Sequence, residues 1–254
     1  MPAISCNVKV LEHKTVAENI RLLTVTWPLR DVQPKAGQFF MLRCWPMDAA
    51  PLLSRPISVH RFDPVSATLV FLYEVKGIGT KHLAALEPGD ALSLTGPSGN
   101  GFPVDKIFGR VAVVGGGIGT APLYQLACEL KDKGCPADVY LGFRDEVYGL
   151  EAFASAANNV FVATETGSTG AKGFVTGLLR PQNYDWVLCC GPDPMMRAVA
   201  KLCEESETTT CLVSLEKKMA CGVGACLGCS CHTKDGGGVC VCKDGPVFNA
   251  QEVF

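Results

Sequence analysis

Cysteine clustering near the C-terminal end constrains this chain more than any other feature. The sequence holds 14 cysteines among its 254 residues, and six of them fall within the 22 residues from Cys221 to Cys242. In a small secreted domain such a run suggests disulfides, but in a larger chain with reduced thiols it indicates metal binding. The segment after Cys211 is also glycine-rich and too short for an apolar core of its own, so we expect a metal centre to stabilise it.

The spacing of these cysteines predicts a [2Fe–2S] cluster. Cys221, Cys226 and Cys229 follow the C-x4-C-x2-C pattern of plant-type [2Fe–2S] proteins. Three intervening glycines let the backbone wrap closely and direct N–H groups at the sulfur atoms. A zinc site would favour two C-x2-C pairs, and a second pair made of Cys240 and Cys242 is too closely spaced for this.

The spacing leaves the fourth ligand open. Cys240 and Cys242 would share one face of a strand, so either is able to reach the cluster. Cys231 alternates with Cys229 on an extended chain and is therefore expected to point away. The residues alone thus give three ligands and two candidates for the fourth.

The first hundred residues consist of short apolar, β-branched runs separated by glycine and proline. Many short strands with turn signals between them predict an antiparallel barrel or sandwich. The predicted strands cover 20–27, 38–45, 56–62, 68–75 and 91–95.

From about residue 108 the pattern changes to strands that alternate with helices. The first strand, at 111–114, leads through a glycine turn into an amphipathic helix over 121–133. This alternation predicts a parallel sheet that helices cover on both faces. Further strands are predicted over 138–143, 160–164 and 186–190, the last followed by a helix to about residue 205.

Two short stretches in the first half are candidates for holding a flavin. In Arg55-Pro56-Ile57-Ser58, the arginine offers a planar fork to a pyrophosphate and the serine a hydroxyl near a flavin ring edge. A solvated turn residue and an ordinary strand hydroxyl would explain these residues equally well. The glycine turn at 76–80 precedes a short helix and suits the same pyrophosphate, although it also fits an ordinary β-to-α turn.

Two turns in the second half are candidates for a nicotinamide nucleotide. The first follows the strand at 111–114, at the carboxyl edge of the sheet, and departs from G-x-G-x-x-G because Thr120 replaces the third glycine. The second follows the strand at 186–190 at the same edge, where Cys190 would lie near a nicotinamide ring or serve as a small buried hydrophobe. The candidate residues are Gly115, Gly116, Gly117, Gly119, Thr120, Cys190, Gly191 and Pro192.

Other features of the sequence indicate which nucleotide, partner and location to expect. Arg144 is followed by Asp145 and Glu146, and the absence of a basic pair favours NADH over NADPH. The net charge of −2 argues against a nucleic-acid partner. No apolar run is long enough to span a membrane and no signal peptide is evident, so we expect a cytoplasmic protein. No catalytic side chain is predicted, because the cofactors would carry the chemistry.

In its motifs the chain resembles the ferredoxin–NADP reductase superfamily, which carries R-P-x-S in a flavin barrel and G-G-G-x-G and C-G-P turns in a nicotinamide domain. Its C-terminal stretches 216–229 and 241–248 resemble the electron-transfer subunits of class B, NAD-dependent dihydroorotate dehydrogenases. This resemblance implies an FAD-binding antiparallel β-barrel at 1–102, an NAD-binding α/β domain with a parallel sheet at 103–208, and a small [2Fe–2S] domain at 209–254.

The same resemblance assigns residues to the cofactors. It implies Cys242 as the fourth cluster ligand and leaves Cys231 and Cys240 as extra cysteines. Glu74 stands where the family often has arginine, so a contact there would come from the backbone. The implied FAD contacts are Arg55, Pro56, Ile57, Ser58, Leu72, Tyr73, Glu74, Gly79 and Thr80.

By resemblance, electrons pass between NAD(H), FAD and the cluster, and on to the FMN of a separate catalytic subunit. That subunit would interconvert dihydroorotate and orotate in pyrimidine biosynthesis, in a heterotetramer with two copies of each chain. Another iron–sulfur flavoprotein reductase, of a bifurcating transhydrogenase or an oxygenase, is the first alternative. A zinc-stabilised interaction protein is the second.

Overall fold

The computed structural model describes residues 4–254, so the first three residues of the predicted 1–102 unit lie outside the described residues. The first half forms a seven-stranded antiparallel sheet in the order β4-β3-β7-β1-β2-β6-β5. Its strands are β1 (Ile4–Ala17), β2 (Ile20–Thr26), β3 (Phe39–Arg43), β4 (Arg55–Ser58), β5 (Arg61–Asp63), β6 (Thr68–Glu74) and β7 (Ala91–Ser98), and helix α1 (Ile78–Ala84) lies between the last two.

The sheet curls into a barrel because its two edge strands, β4 and β5, are consecutive in the chain. Between them, Val59 N–H donates to the carbonyl of Gln38 on one side, and His60 N–H donates to Val70 on the other, each at 2.9 Å. Aromatic side chains fill the interior, where Phe40 meets Trp27 edge to face with ring centroids 5.2 Å apart. This antiparallel architecture is the one that the sequence predicted.

Strand β1 is the strand of the barrel that the sequence patterns did not predict. It is 14 residues long and carries charged or polar side chains at most of its exposed positions. Only Val8, Val10 and Ala17 are buried along it, because one face of the strand is open to solvent. Residues 4–10 nevertheless alternate between apolar and polar side chains, as expected for a half-buried strand, whereas residues 11–17 do not.

The second half forms a second seven-stranded sheet in the order β11-β10-β9-β8-β12-β13-β16, parallel except for the last strand. Its strands are β8 (Val111–Gly116), β9 (Asp138–Phe143), β10 (Asn159–Thr164), β11 (Ala171–Lys172), β12 (Trp186–Cys190), β13 (Thr210–Ser214) and β16 (Val247–Asn249), while β14 (Ser230–His232) and β15 (Gly238–Cys240) form a separate hairpin. The helices are α2 (Ala121–Asp132), α3 (Leu150–Ala156), α4 (Asp193–Glu204) and α5 (Ala250–Val253).

Strand order reverses between β8 and β12, so this pair forms the topological switch point of the sheet. Such a crevice, at the carboxyl ends of the strands, is where ligands bind in open α/β sheets. Cys190 at the end of β12 pairs with Gly115 on one side and with Ser214 on the other. The two predicted nicotinamide turns therefore leave the sheet side by side.

The cysteine-rich segment is anchored at both ends by this second sheet. Strands β13 and β16, which fall within the predicted 209–254 unit, pair with each other and extend the sheet beyond β12. The chain between them carries the six clustered cysteines and the β14–β15 hairpin. The sheet therefore supplies the apolar core to which this segment is attached, as expected for a stretch too small to form its own core.

No helix within residues 4–254 is long and apolar enough to span a bilayer.

Candidate cluster and cofactor sites

The four predicted cluster ligands lie next to one another in two pairs. Backbone-to-sulfur hydrogen bonds link Cys226 with Cys221 and Cys242 with Cys229. The backbone N–H of Cys226 donates to the Cys221 sulfur, and that of Cys242 donates to the Cys229 sulfur, both at 3.4 Å. Within residues 4–254, no group of three or more His, Cys, Asp or Glu side chains is placed to hold a metal ion. A [2Fe–2S] cluster requires four thiolate ligands, which is the number that these two pairs supply.

Backbone amides point at these sulfur atoms. The N–H of Gly224 donates to the Cys242 sulfur at 3.0 Å, and the N–H of Val223 donates to the Cys221 sulfur at 3.5 Å. Burial raises the pKa of Cys221, but hydrogen bonds from Val223 and Cys226 outweigh it and lower the pKa to about 6. Burial raises the pKa of Cys242 to about 12, so metal binding there would release a proton.

The two remaining cysteines have different neighbours. The sulfur of Cys240 lies 3.7 Å from the Ser230 hydroxyl, and its backbone N–H donates to the Asp244 carboxylate at 2.7 Å. Cys231 lies opposite Val239 in the hairpin. Because Cys242 contacts the other predicted ligands and Cys240 contacts Ser230, the geometry favours Cys242 as the fourth ligand.

The cysteine-rich segment packs directly on the barrel. The side-chain amide of Asn100 donates to the carbonyls of Lys243 and Asp244 at 3.3 and 3.0 Å, immediately after Cys242. On the other side, Gly222 has a φ of +70°, and a Cβ there would lie 2.7 Å from the Met41 side chain in β3. The close approach to the barrel therefore depends on a glycine at this position.

A cleft of about 270 Å³ separates the barrel from the second sheet. Its barrel wall is formed by residues predicted to contact FAD, and Cys190 lies on the opposite wall. Met219 and Pro246, which flank the cysteine-rich segment, also line it, so this segment borders the cleft. The predicted FAD residues that line the cleft are Pro56, Ile57, Ser58, Leu72, Tyr73, Glu74 and Thr80.

The other two predicted FAD residues, Arg55 and Gly79, touch each other beside this cleft. A Cβ at Gly79 would lie 2.9 Å from the Arg55 Nε, so only glycine leaves room for the guanidinium. Arg55 donates one hydrogen bond, from Nη2 to the carbonyl of Leu53 at 2.6 Å, while its buried Nε has no partner. A buried donor without a partner is costly. The pyrophosphate of FAD is an acceptor that fits it.

Two residues of strand β6 illustrate how side chains are held at this cleft. The Tyr73 hydroxyl bonds to His13 Nε2 at 3.0 Å, and burial raises the pKa of the phenol, so it remains neutral. Glu74 forms an ion pair with Lys76 at 2.8 Å. The Glu74 carboxylate is therefore paired with Lys76, which agrees with the expectation that Glu74 contacts a cofactor through its backbone.

A second cavity, of about 840 Å³, opens at the switch point. A Cβ at Gly119 would lie 2.4 Å from the Gly191 Cα, so the two turns contact each other in a way that only glycines permit. Gly115 and Thr120 do not line this cavity; Thr120 is buried and donates to the Gly117 carbonyl at 2.9 Å, which shapes the turn. The predicted residues that line it are Gly116, Gly117, Gly119, Gly191 and Pro192.

Cys190 lines the flavin cleft, and the next residue, Gly191, lines the larger cavity. Cys190 is fully buried, and burial is the main reason that the pKa of its thiol lies well above the usual range. The negative charge of nearby Glu216 raises this pKa further. The Ser214 side chain opposes this rise in pKa. Cys190 is therefore a protonated, buried thiol on the wall of the flavin cleft, and its position near a nicotinamide ring stays a prediction.

The sequence patterns did not predict that the end of β13 and the residues just after it line a cofactor cleft. Residues 214–217 line the flavin cleft, and Glu216 also lines the larger cavity. Glu216 is an exposed residue, yet desolvation raises the pKa of its carboxyl, with Lys76 opposing this rise and Glu74 adding to it. The apolar run at 211–215 is the signal that would have identified a further strand ending at this edge.

Comparisons with known proteins agree with this arrangement. The sequence profile of the iron–sulfur cluster binding domain of dihydroorotate dehydrogenase B matches residues 216–254. The electron transfer subunit of dihydroorotate dehydrogenase B (NAD(+)) from Clostridium acetobutylicum is 45% identical over 246 residues, covering 97% of this chain and 96% of that protein. Its counterpart from Clostridium perfringens is 44% identical, covering 96% of each. This chain belongs to the family of dihydroorotate dehydrogenase B electron transfer subunits.

Comparison with solved structures shows the fold that this chain shares with other proteins. The structure of an NADH-dependent reduced ferredoxin–NADP oxidoreductase matches with a TM-score of 0.86 at 27% identity, covering 97% of this chain and 89% of that one. The resemblance found in the sequence motifs is therefore confirmed, as is the fold class of barrel, parallel sheet and C-terminal cluster segment. The family carries FAD, a [2Fe–2S] cluster and NAD as its redox groups, as the sequence predicted.

Proposed function

We propose that this chain passes electrons between NAD(H), FAD and a [2Fe–2S] cluster, and exchanges them with the FMN of a dihydroorotate dehydrogenase catalytic subunit in pyrimidine biosynthesis. The observation that carries this proposal is the continuity of the three sites. The flavin cleft and the larger cavity share Lys76, Ile118 and Glu216 in their walls. The cleft is also bordered by Met219 and Pro246 at the two ends of the cysteine-rich segment.

The barrel side chains bind and orient the flavin. Arg55, with its unpartnered Nε held over Gly79, takes the pyrophosphate, and Ser58 and Thr80 line the cleft. The Thr80 hydroxyl shapes the adjoining turn, because it accepts the N–H groups of Lys76 and Gly77. Tyr73, fixed by His13, gives the cleft a rigid aromatic wall. When bound, FAD supplies the conversion between hydride transfer and single-electron transfer, and the cluster supplies a one-electron carrier.

The turns of the second sheet admit the nicotinamide. The contact of Gly119 with Gly191 keeps side chains out of the space beside Cys190, so a nicotinamide ring is able to approach the flavin cleft. A third cavity, of about 420 Å³, adjoins Gly116 and is lined by Arg144 and Glu165. One cation beside one anion, without a second basic residue from the same strand end, supports NADH as the nucleotide.

The cluster is held by Cys221, Cys226, Cys229 and Cys242 in this proposal. The N–H groups of Gly224 and its neighbours stabilise negative charge on the sulfur atoms, which raises the reduction potential. The units 1–102, 103–208 and 209–254 would then serve FAD, NAD and the cluster in turn. The chain would act in the cytoplasm, in a heterotetramer with two catalytic subunits that carry FMN.

Reconstitution tests this function. The chain is co-expressed with a dihydroorotate-oxidising FMN subunit, its FAD, iron and sulfide are measured, and formation of NADH from dihydroorotate and NAD+ is followed. We expect coupled turnover that requires both chains. Absence of coupling despite full cofactor loading would contradict the proposal and favour another iron–sulfur flavoprotein reductase, a class to which the 27% identical oxidoreductase structure points.

A further inference from the structure

Two sets of buried or partly buried hydrogen bonds join the barrel to helix α2 of the second sheet. In the first set, His60 Nδ1 lies 2.8 Å from the carbonyl oxygen of Ala121, the first residue of the helix. Since a carbonyl only accepts, the His60 Nδ1 carries the proton and donates. His60 is 8% exposed, and its ring packs against Tyr124 with centroids 5.0 Å apart.

One turn further along α2, Gln125 forms the second set. Its side-chain oxygen accepts the backbone N–H of Phe62 in β5 at 2.9 Å, and its amide nitrogen donates to the Glu129 carboxylate at 2.9 Å. The same Glu129 oxygen accepts the backbone N–H of Ala36 from the barrel at 2.9 Å. Gln125 is only 5% exposed, so these polar groups have little access to water as an alternative partner.

The His60 bond lies next to the predicted nicotinamide turn. Helix α2 begins at Ala121, directly after the turn Gly117–Thr120, whose first three residues line the larger cavity. Ala121 itself lines the flavin cleft. The hydrogen bond from His60 to the Ala121 carbonyl therefore joins two parts of the molecule. One is the barrel, which holds the flavin, and the other is the start of helix α2, directly after the turn that receives the nicotinamide.

We propose that His60 and Gln125 are positioning residues for transfer between NADH and FAD, because they fix the nicotinamide turn against the flavin cleft. This inference rests on the proposed function. Hydrogen bonds suit the role because, unlike apolar packing, they set both distance and direction between the two units. Reaction rates depend steeply on such positioning, and a displacement of about 1 Å is enough to lower a rate by about 100-fold.

The test uses the complex with its catalytic subunit and all cofactors. His60→Phe keeps a ring against Tyr124 but removes the donor, whereas His60→Asn keeps a donor near the Nδ1 position. The rate of flavin reduction by NADH is measured by stopped flow at several NADH concentrations, which separates the limiting rate from nucleotide affinity. We expect His60→Phe to lower the limiting rate at least about tenfold with unchanged FAD content, and His60→Asn to stay within about threefold of the parent.

A stability control separates positioning from general weakening. Val8→Ala removes buried volume in the barrel core without touching the connection, and is expected to lower the melting temperature while leaving the limiting rate unchanged. Gln125→Met removes the same connection one turn along the helix, and carries the test if His60→Phe does not accumulate as folded protein. We expect it also to lower the limiting rate.

Two outcomes are distinguishable. If the parent complex reduces its flavin with NADH and the variants do so at the parent rate, or lose rate only in proportion to lost FAD, the positioning role is wrong. If the parent complex itself is not reduced by NADH, the proposed function fails instead, and the inference that rests on it fails with it.

Discussion

At Gly79 the absence of a side chain creates the space in which Arg55 lies. The guanidinium Nε is buried there without a hydrogen-bond partner among the described residues, although it is a charged donor. Burying such a group is unfavourable unless a partner arrives. A glycine and an arginine far apart in sequence are therefore matched to each other and, in our proposal, to one pyrophosphate.

Gly79→Ala is expected to weaken FAD binding. The added Cβ would lie 2.9 Å from the Arg55 Nε and push the guanidinium aside. A hydrogen bond to a charged group contributes roughly 1.5–3 kcal/mol, so the FAD dissociation constant should rise about tenfold or more. Equilibrium titration of the flavin-free protein with FAD measures this. Gly77→Ala is the matched control, because no atom lies within 4 Å of a Cβ placed there.

The choice of the fourth cluster ligand is also decided at single residues. Cys242→Ser should lose the cluster, because the Cys242 sulfur contacts Cys229 and the N–H of Gly224. Cys240→Ser should keep it, because the Cys240 sulfur contacts Ser230. Iron and sulfide content with a reduced-state EPR spectrum measures both. A cluster retained in Cys242→Ser and lost in Cys240→Ser would place the fourth ligand two residues earlier.

At the scale of elements, the interface between the barrel and helix α2 makes stability depend on pH. Burial lowers the pKa of His60 to about 4, from an ordinary value of about 6.5 in the unfolded chain. Between these values the unfolded state binds more protons than the folded state, so stability rises with pH across this window. His60 stabilises the fold fully above pH 6.5, and this contribution is lost as pH falls through 4.

His60→Asn is therefore expected to flatten the acid side of the stability profile. The pKa difference corresponds to at most about 3 kcal/mol between pH 4 and 6.5. The melting temperature of the parent and the variant is measured from pH 4 to 7. Carboxylates elsewhere titrate in both proteins, so the difference between the two profiles isolates His60. Parallel profiles would mean that folding does not lower the pKa of His60.

Elements with a clear period were predictable from the sequence, and those defined by their neighbours were not. The strands β9 and β12 lie at the predicted residues because each is a short apolar run ended by a turn. Strand β1 was missed because only its first half, residues 4–10, alternates between apolar and polar side chains, and residues 11–17 do not. Likewise, Glu216 reaches the cleft only because β13 joins the sheet beside β12, a pairing that no local pattern specifies.

At the scale of the whole molecule, the cysteine-rich segment joins the two larger units at a second place. It leaves the second sheet at β13, returns to it at β16, and between them it contacts the barrel at Met41 and Asn100. The cluster site is therefore fixed relative to both the flavin and the nicotinamide cavities. The motifs predicted each site separately, whereas their continuity depends on these contacts between distant residues.

Asn100→Ala is expected to affect only the last step of the electron path. It removes two hydrogen bonds to the carbonyls of Lys243 and Asp244, at roughly 1 kcal/mol each, and so loosens the segment that follows Cys242. The connection through His60 and the nicotinamide turns remain intact. After mixing with NADH, flavin bleaching should therefore proceed at the parent rate, while the absorbance change of the cluster is delayed about threefold or more.

Because both signals come from the same trace, flavin reduction is the internal control. An equal delay in both signals would mean that Asn100 acts on the whole fold, and no delay would mean that the remaining contacts of the segment with the barrel are sufficient to hold the cluster site in place.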